Sequence, residues 1–240
     1  MIHVIGHKGF LGSELYNSGR LPPVSKNVII NCAGKSSLEY CEQYPEESLE
    51  CNLNLVKRLA SDRPDMLIHF SSYYVYDDIP ICNESANTTR AYQYCKHKLE
   101  SEQVVLEAKG IVFRIGKLFG RELQPGKLFS YINTTKGTIT LDRVLFNPTS
   151  NNLIRSICLD VIFNNTLPSG IYNLGCDNTA SAIDIAKYYG KSNTKVIDKI
   201  AKPFHNYGKF LMDLSKIKSY YKSLPTWEEE LWKYSLSESL

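Results

Sequence analysis

No run of this chain approaches the ~18 consecutive apolar residues that a membrane-crossing helix needs. Its seven cysteines are Cys32, Cys41, Cys51, Cys82, Cys95, Cys158 and Cys176. They include no Cys-x-x-Cys pair and are odd in number, which argues against a disulfide framework. They read as reduced thiols in a cytoplasmic protein. The five histidines, His3, His7, His69, His97 and His205, lack metal-ligand spacing, so no metal site is expected. The net charge is only +3. That suits anionic small-molecule ligands and falls short of the basic footprint of a nucleic-acid binder. There is no internal repeat and no low-complexity segment. The N-terminus enters an apolar strand at once, so no leader is expected. What remains is 240 residues, 43% hydrophobic and 22% charged, enough for a full core. That length suits one α/β domain with a small appended lobe.

The densest signal is in the first twelve residues. An apolar strand (Ile2, Val4, Ile5) runs into Gly6, Gly9 and Gly12, and a helix follows. In a parallel α/β sheet this strand–turn–helix cradles a dinucleotide pyrophosphate. Gly6 permits the tight turn, Gly9 lets backbone approach the phosphates, and Gly12 lets the helix pack on the strand. The helix N-terminus offers free N–H groups to the anion. Phe10 and Leu11 belong to the same turn. The spacing is Gly-x-x-Gly-x-x-Gly rather than Gly-x-Gly-x-x-Gly, and a merely structural glycine turn has the same appearance.

Along the chain, Phe10 to about Ser18 predicts a short helix, and 19–26, with Pro22-Pro23, a loop. Val28–Ile30, Met66–Phe70, Ile111–Arg114 and Gly170–Gly175 read as strands. Pro45–Ser61, Arg90–Ala108 and Ser181–Tyr189 read as helices. Thr226-Trp227-Glu228-Glu229 is a capping box opening a last helix through Trp232. Alternating strands and helices predict a doubly wound sheet. The later part of the chain reads as less regular.

Several segments then line up in order: Gly6-His7-Lys8-Gly9-Phe10-Leu11-Gly12, Asn31-Cys32-Ala33-Gly34-Lys35, Asn52 in the helix after Pro45, and Ser71-Ser72-Tyr73-Tyr74-Val75-Tyr76. Asn147-Pro148-Thr149, Gly170–Gly175, Asp213-Leu214-Ser215-Lys216 and Pro225-x-Trp227 follow. On these the chain resembles the extended short-chain dehydrogenase/reductases acting on nucleotide sugars, and within them the dTDP-4-dehydrorhamnose reductases. Its opening is also similar to that of the GDP-fucose synthases. The resemblance implies a Rossmann-like doubly wound parallel sheet, with residues 1–115 as the dinucleotide-binding core. Residues 116–240 would then be a mixed substrate-binding lobe plus returning core elements. It implies reduction of a nucleotide-linked 4-keto-6-deoxy sugar with NADP(H) preferred and NAD(H) as the alternative. The implied partner is a nucleotide-diphosphate sugar, in a cytoplasmic chain that would suit a homodimer. The cofactor residues it implies are Gly6, Lys8, Gly9, Phe10, Leu11, Gly12, Asn31, Ala33, Gly34, Asn52 and Lys98. Lys8 would meet a 2′-phosphate.

The family's catalytic pair is Tyr-x-x-x-Lys, and the chain offers Tyr92/Lys96 and Tyr94/Lys98. Two residues of offset rotate a helix by about 200°, so both pairs cannot face one cofactor. The family's continuation, Lys-Leu-x-x-Glu, is met by Lys98-Leu99-Glu100-Ser101-Glu102 and favours the second pair without removing the first. In this reading Tyr94 donates the proton as general acid, and Ser72 hydrogen-bonds the developing oxyanion. Lys98, one turn away, supplies positive charge that lowers the phenol's pKa.

Two departures stand out. A fold of this type places a strand, a helix and a further strand between the first helix and the Asn31 strand, yet only 19–27 bridge that gap. The adenosine edge of the sheet is therefore expected to be missing, and no acid stands about twenty residues after Gly12. Joining helix one to a strand on the other side of strand one also threatens a left-handed crossover. In addition, Tyr73 stands where these reductases carry an acid, and Lys117 where they carry an aromatic residue. Lys35, Tyr73 and Lys117 are the candidate substrate contacts. Arg114, Arg121, Arg143 and Arg155 are further candidates for a substrate pyrophosphate, by charge alone. Two other readings stay open: an epimerase or dehydratase of the same superfamily, and a catalytically degenerate regulatory subunit.

Overall fold

Five parallel strands lie side by side in the order in which the chain makes them. They are β1 (Ile2–Ile5), β2 (Val28–Asn31), β3 (Met66–Ser72), β4 (Ile111–Ile115) and β5 (Gly170–Leu174). This is the arrangement in a computed structural model of the chain, which describes residues 1–17, 23–77, 80–120, 128–196 and 211–237. The helices used below are α1 (Phe10–Asn17), α2 (Leu38–Gln43), α3 (Pro45–Leu49), α4 (Leu55–Ser61), α5 (Gln93–Glu107), α6 (Leu128–Thr134) and α7 (Asn151–Asn164).

Strand periodicity divides the sheet into two faces. Val4, Val28, Ile30, Ile68, Phe70, Phe113, Ile115, Tyr172 and Leu174 share one core with Leu11 and Leu15 of α1 and with Ile154, Ile157 and Val161 of α7. Ile29, Leu67 and Val112 share the other with Val56 and Leu59 of α4 and Val105 of α5. Burial on both faces is why these strands read as continuous apolar runs. Toward its C-terminal end the second face turns polar. Asn31, His69, Ser71, Arg114 and Asn173 occupy the next positions there, and all are buried. Register sets Asn31 beside His69, and Ser71, Arg114 and Asn173 in one row.

β1 is the edge of this sheet, with no strand beyond it among the described residues. The sequence expectation of a truncated edge is met. The crossover problem is also real. Strand order advances the same way from β1 to β2 as from β2 to β3. Yet α1 covers one face and α4 the other, so the two connections have opposite hands.

Four helices among the described residues were not anticipated: α2, α6, α7 and a short one over Ser215–Lys218. α7 is rich in β-branched residues, yet Leu153, Ile154, Ile157, Cys158, Val161 and Ile162 form one helical stripe, and the Ser150 hydroxyl caps the Leu153 N–H. α2 is a short helix capped by Ser37. The predicted helix 45–61 is present, but a π-helical turn, Glu50–Asn54, interrupts it. The last helix runs Trp227–Ser237, past the predicted Trp232. Its capping box forms as expected, with the Glu229 N–H donating to Thr226 Oγ1 and the Thr226 N–H to Glu229 Oε2.

Candidate active site

The glycine turn is built by close approach. Gly6 sits at φ +80°, and a Cβ there would stand 2.7 Å from the Ala33 nitrogen. A Cβ on Gly12 would stand 2.2 Å from the Gly6 carbonyl oxygen. Neither position admits a side chain, so α1 seats directly on the end of β1. The Gly9 N–H donates to the Gly6 carbonyl at 2.9 Å. Gly9, Phe10 and Leu11 then form one wall of a cavity of about 420 Å³.

The opposite wall comes from the C-terminal ends of β2 and β3 and from α5. Ala33, Gly34 and Lys35 line it after β2, Ser72 at the end of β3 and Tyr73 just after it, and Tyr94 and Lys98 from α5. Lys117 completes the far side. Of the sequence-derived cofactor residues, Gly6, Lys8, Gly12, Asn31 and Asn52 lie outside the lining. Lys8 is exposed. Gly6 and Gly12 act by shaping the turn. Asn31 acts from beneath: its Oδ1 accepts from the Ala33 N–H at 3.1 Å, and its Nδ2 meets His69 Nδ1 at 3.1 Å.

Asn52 has a similar indirect role. The π-turn, a feature common at functional sites, carries it to the loop after β2. Its Oδ1 accepts from the Lys35 N–H at 3.0 Å, and its Nδ2 donates to the Lys35 carbonyl at 3.1 Å. The amide clamps both polar groups of one residue. Ser48 joins it to His97 of α5, with Asn52 Nδ2 at 3.2 Å from Ser48 Oγ and His97 Nδ1 at 2.9 Å from it. The loop forming one wall is thereby tied to the helix forming another.

Tyr94 and Lys98 sit one turn apart on α5, and both face the cavity. Tyr92 is only the residue preceding α5, Lys96 points to solvent, and neither lines the cavity. Lys98 Nζ donates to the Phe70 carbonyl at 2.8 Å. Ser72 Oγ accepts from the Tyr74 N–H at 3.2 Å, capping the turn after β3, and also hydrogen-bonds Tyr94. Burial draws the Lys98 ammonium down to about 8 from its ordinary 10.5, against the pull of Glu102. Burial raises the Tyr94 phenol well above its ordinary value, and the Ser72 contact offsets only part of that. This differs from the sequence expectation of a phenol lowered by Lys98. With its ammonium turned to the Phe70 carbonyl, Lys98 leaves desolvation in control. Tyr73 is pushed up to about 12 by burial, then by the nearby Tyr94, and stacks on Tyr74 with ring centroids 4.5 Å apart.

The cations divide clearly. Lys35 reaches Glu47 at 3.2 Å and the Tyr40 hydroxyl at 3.3 Å on a solvent-facing rim. Lys117 stands 5.2 Å over the Phe146 ring. Arg114 is no anion receptor: its guanidinium is buried in a two-pronged pair with Glu102, at 2.6 and 3.0 Å. Arg143 is exposed and Arg155 half-buried, and neither lines the cavity. Arg121 lies outside the described residues.

Sequence reasoning missed the polar half of the second face, with its Ser71–Glu102–Arg114 and Asn31–His69–Ser101 links. A polar residue two places after each buried apolar one was the available signal. It also missed Glu42 of α2. The residue before α5, Tyr92, makes no side-chain cap. The Glu42 carboxylate accepts from the Gln93 N–H instead, supplying from outside the helix the cap that Tyr92 lacks.

A family model described as the RmlD substrate binding domain matches residues 19–234. Comparison with curated proteins gives no match. Among solved structures, dTDP-4-dehydrorhamnose reductase from Bacillus anthracis in complex with NADP is similar with a TM-score of 0.82 at 18% identity, over 98% of each chain. The ortholog from Clostridium acetobutylicum gives 0.82 at 20% identity, over 100% of this chain and 99% of that one. MoeE5 in complex with UDP-glucose and NAD gives 0.79 at 16% identity, again over 100% and 99%. At these identities the likeness is one of fold.

Proposed function

Because the chain belongs to the RmlD substrate-binding domain family, we propose that it is an NAD(P)H-dependent reductase of a nucleotide-linked 4-keto-6-deoxy sugar. The carrying observation is convergence: Ser72, Tyr94 and Lys98 line the same cavity as Gly9, Phe10 and Leu11. The residues fit the phosphate-bearing, nicotinamide end of such a cofactor. Gly9 brings bare backbone to the wall, and Lys98 lines the same cavity. A bound reduced nicotinamide would supply hydride to the keto carbon.

The chain's own residues supply the rest. Tyr94, kept protonated by burial, donates its proton to the carbonyl oxygen as negative charge develops there. Ser72 hydrogen-bonds that oxygen and the departing phenolate. The Lys98 ammonium, turned to the Phe70 carbonyl, is the proposed cation at the nicotinamide ribose. Asn52 fixes the Lys35 backbone, and with it the β2 loop. Lys35, Tyr73 and Lys117 are the proposed sugar and pyrophosphate contacts. Tyr73 holds no acid function beside Ser72, which disfavours a dehydratase. Lys8, exposed in the turn, is the proposed contact for a 2′-phosphate and would favour NADP(H).

The reading is tested by following absorbance at 340 nm with a panel of nucleotide-linked 4-keto sugars. Stoichiometric loss of NADPH is expected. Turnover without net loss would favour an epimerase, and silence across the panel a regulatory subunit.

Two further outcomes follow from the geometry. A Cβ at Gly9 would meet the Gly6 carbonyl oxygen at 3.3 Å, so Gly9→Val should fold while blocking phosphate approach. Calorimetry should show dinucleotide affinity reduced by at least about tenfold, the equivalent of one lost charge-assisted contact. Unchanged affinity would make the turn purely structural. The second outcome concerns pH. Lys98 acts as a cation and titrates near 8, so its contribution is complete below that value and lost as pH rises through it. The kcat/KM profile should fall above about pH 8, and Lys98→Arg, wherever it retains activity, should move that limb upward. A limb that stays in place in the arginine variant belongs to another group.

A further inference from the structure

We infer that this chain recognises its cofactor through the nicotinamide mononucleotide half, so that reduced nicotinamide mononucleotide (NMNH) binds about as well as NADH. The inference rests on the reductase reading above and concerns which part of the cofactor is held. In a doubly wound fold, adenosine lies beyond the first strand. An acid about twenty residues after the glycine turn takes its ribose hydroxyl. Here β1 is the outermost strand among the described residues. Only residues 18–27 join α1 to β2. A single parallel crossover takes about a dozen residues or more, so that connection cannot house an outer strand, a helix and a further strand.

The side chains agree with the topology. Twenty residues after Gly12 the chain has reached Cys32, which lines the cavity on the inner side of β1. From Gly9–Leu11 the lining runs inward across the ends of β2, β3 and β4. His3, His7 and Lys8, which flank β1, are exposed and take no part in it. His7 of the turn and Tyr16 of α1 pair their rings 5.2 Å apart, and Tyr16 is 58% exposed. A base laid on that pair would keep water on its other face. The nicotinamide side, in contrast, is enclosed: Ser72, Tyr94 and Lys98 are all at most 6% exposed.

The test is calorimetry of the unmodified protein with NADH, NMNH and AMP. NADH is used in place of NADPH so that the 2′-phosphate contact proposed for Lys8 does not enter. NMNH should bind within about tenfold of NADH, and AMP should not compete with either. NADH binding more than tenfold tighter than NMNH would overturn the inference and leave the reductase reading intact. If that excess then vanished in His7→Ala or Tyr16→Ala, the adenine would be seated on the exposed ring pair. Failure of both NADH and NMNH to bind would overturn the inference and the reductase reading together.

Discussion

Tyr94→Phe should lower turnover by roughly 10²–10⁴-fold, the range for removing a general acid, with thermal stability nearly unchanged. Only a hydroxyl is deleted. It leaves the ring in its buried place beside Cys41 and Cys95 and removes the hydrogen bond to Ser72. Substrate binding should change little, because the proton moves only as the carbonyl oxygen gains charge. Loss should therefore appear in kcat more than in KM. Tyr92→Phe is the control. Tyr92 precedes α5 and does not line the cavity, so its removal should be mild. A reversed pattern would assign the chemistry to Tyr92 and Lys96 and take it away from Tyr94 and Lys98.

The largest stability effect should come from Arg114→Leu. Arg114 and Glu102 are 3% exposed each, and their two-pronged pair is supplemented by the Ser71 hydroxyl donating to Glu102 Oε1 at 2.5 Å. The guanidinium also lies 4.7 Å over the Tyr76 ring and donates to the Glu84 carbonyl at 3.2 Å. Leucine fills much of the volume but leaves the Glu102 carboxylate buried without its partner. Breaking one side of a buried pair costs about 3–5 kcal/mol. For a chain of this size that is a fall in Tm of roughly 6–20 °C, at about 2–4 °C per kcal/mol. The Arg114→Leu/Glu102→Leu double variant should recover much of the loss, since no orphaned charge remains. A single variant within about 1 kcal/mol of the parent, measured by denaturant unfolding, would show that water or another cation reaches Glu102.

These two residues also mark what could be read in advance. The Tyr94/Lys98 pair was legible only in part: i and i+4 share a helix face, but so do Tyr92 and Lys96, and only the resemblance to the family's continuation through Leu99 and Glu102 favoured the second pair. The glycine turn was legible from its local pattern, and the missing sheet edge followed from counting residues between α1 and β2. Arg114 was misread as a free cation because its partner stands on a different element. Only the pairing of β3 with β4, and the packing of α5 across them, brings Glu102 to it. Asn52 was placed beside the cofactor, whereas the π-turn spends its amide on the Lys35 backbone. A π-turn leaves no periodic signature in composition. The phenol's raised pKa was likewise hidden, since it depends on where the Lys98 ammonium points and on how dry the cavity wall is.

The most direct test of the central claim is isotopic. The protein is incubated with a nucleotide-linked 4-keto-6-deoxy sugar and NADPH carrying deuterium at the transferable position of the nicotinamide, and the sugar product is weighed by mass spectrometry. The product should gain one deuterium at the former carbonyl carbon, and Tyr94→Phe should slow this gain in step with its turnover. A sugar that is converted without acquiring deuterium, or one returned unchanged while the cofactor keeps its label, would contradict the central claim.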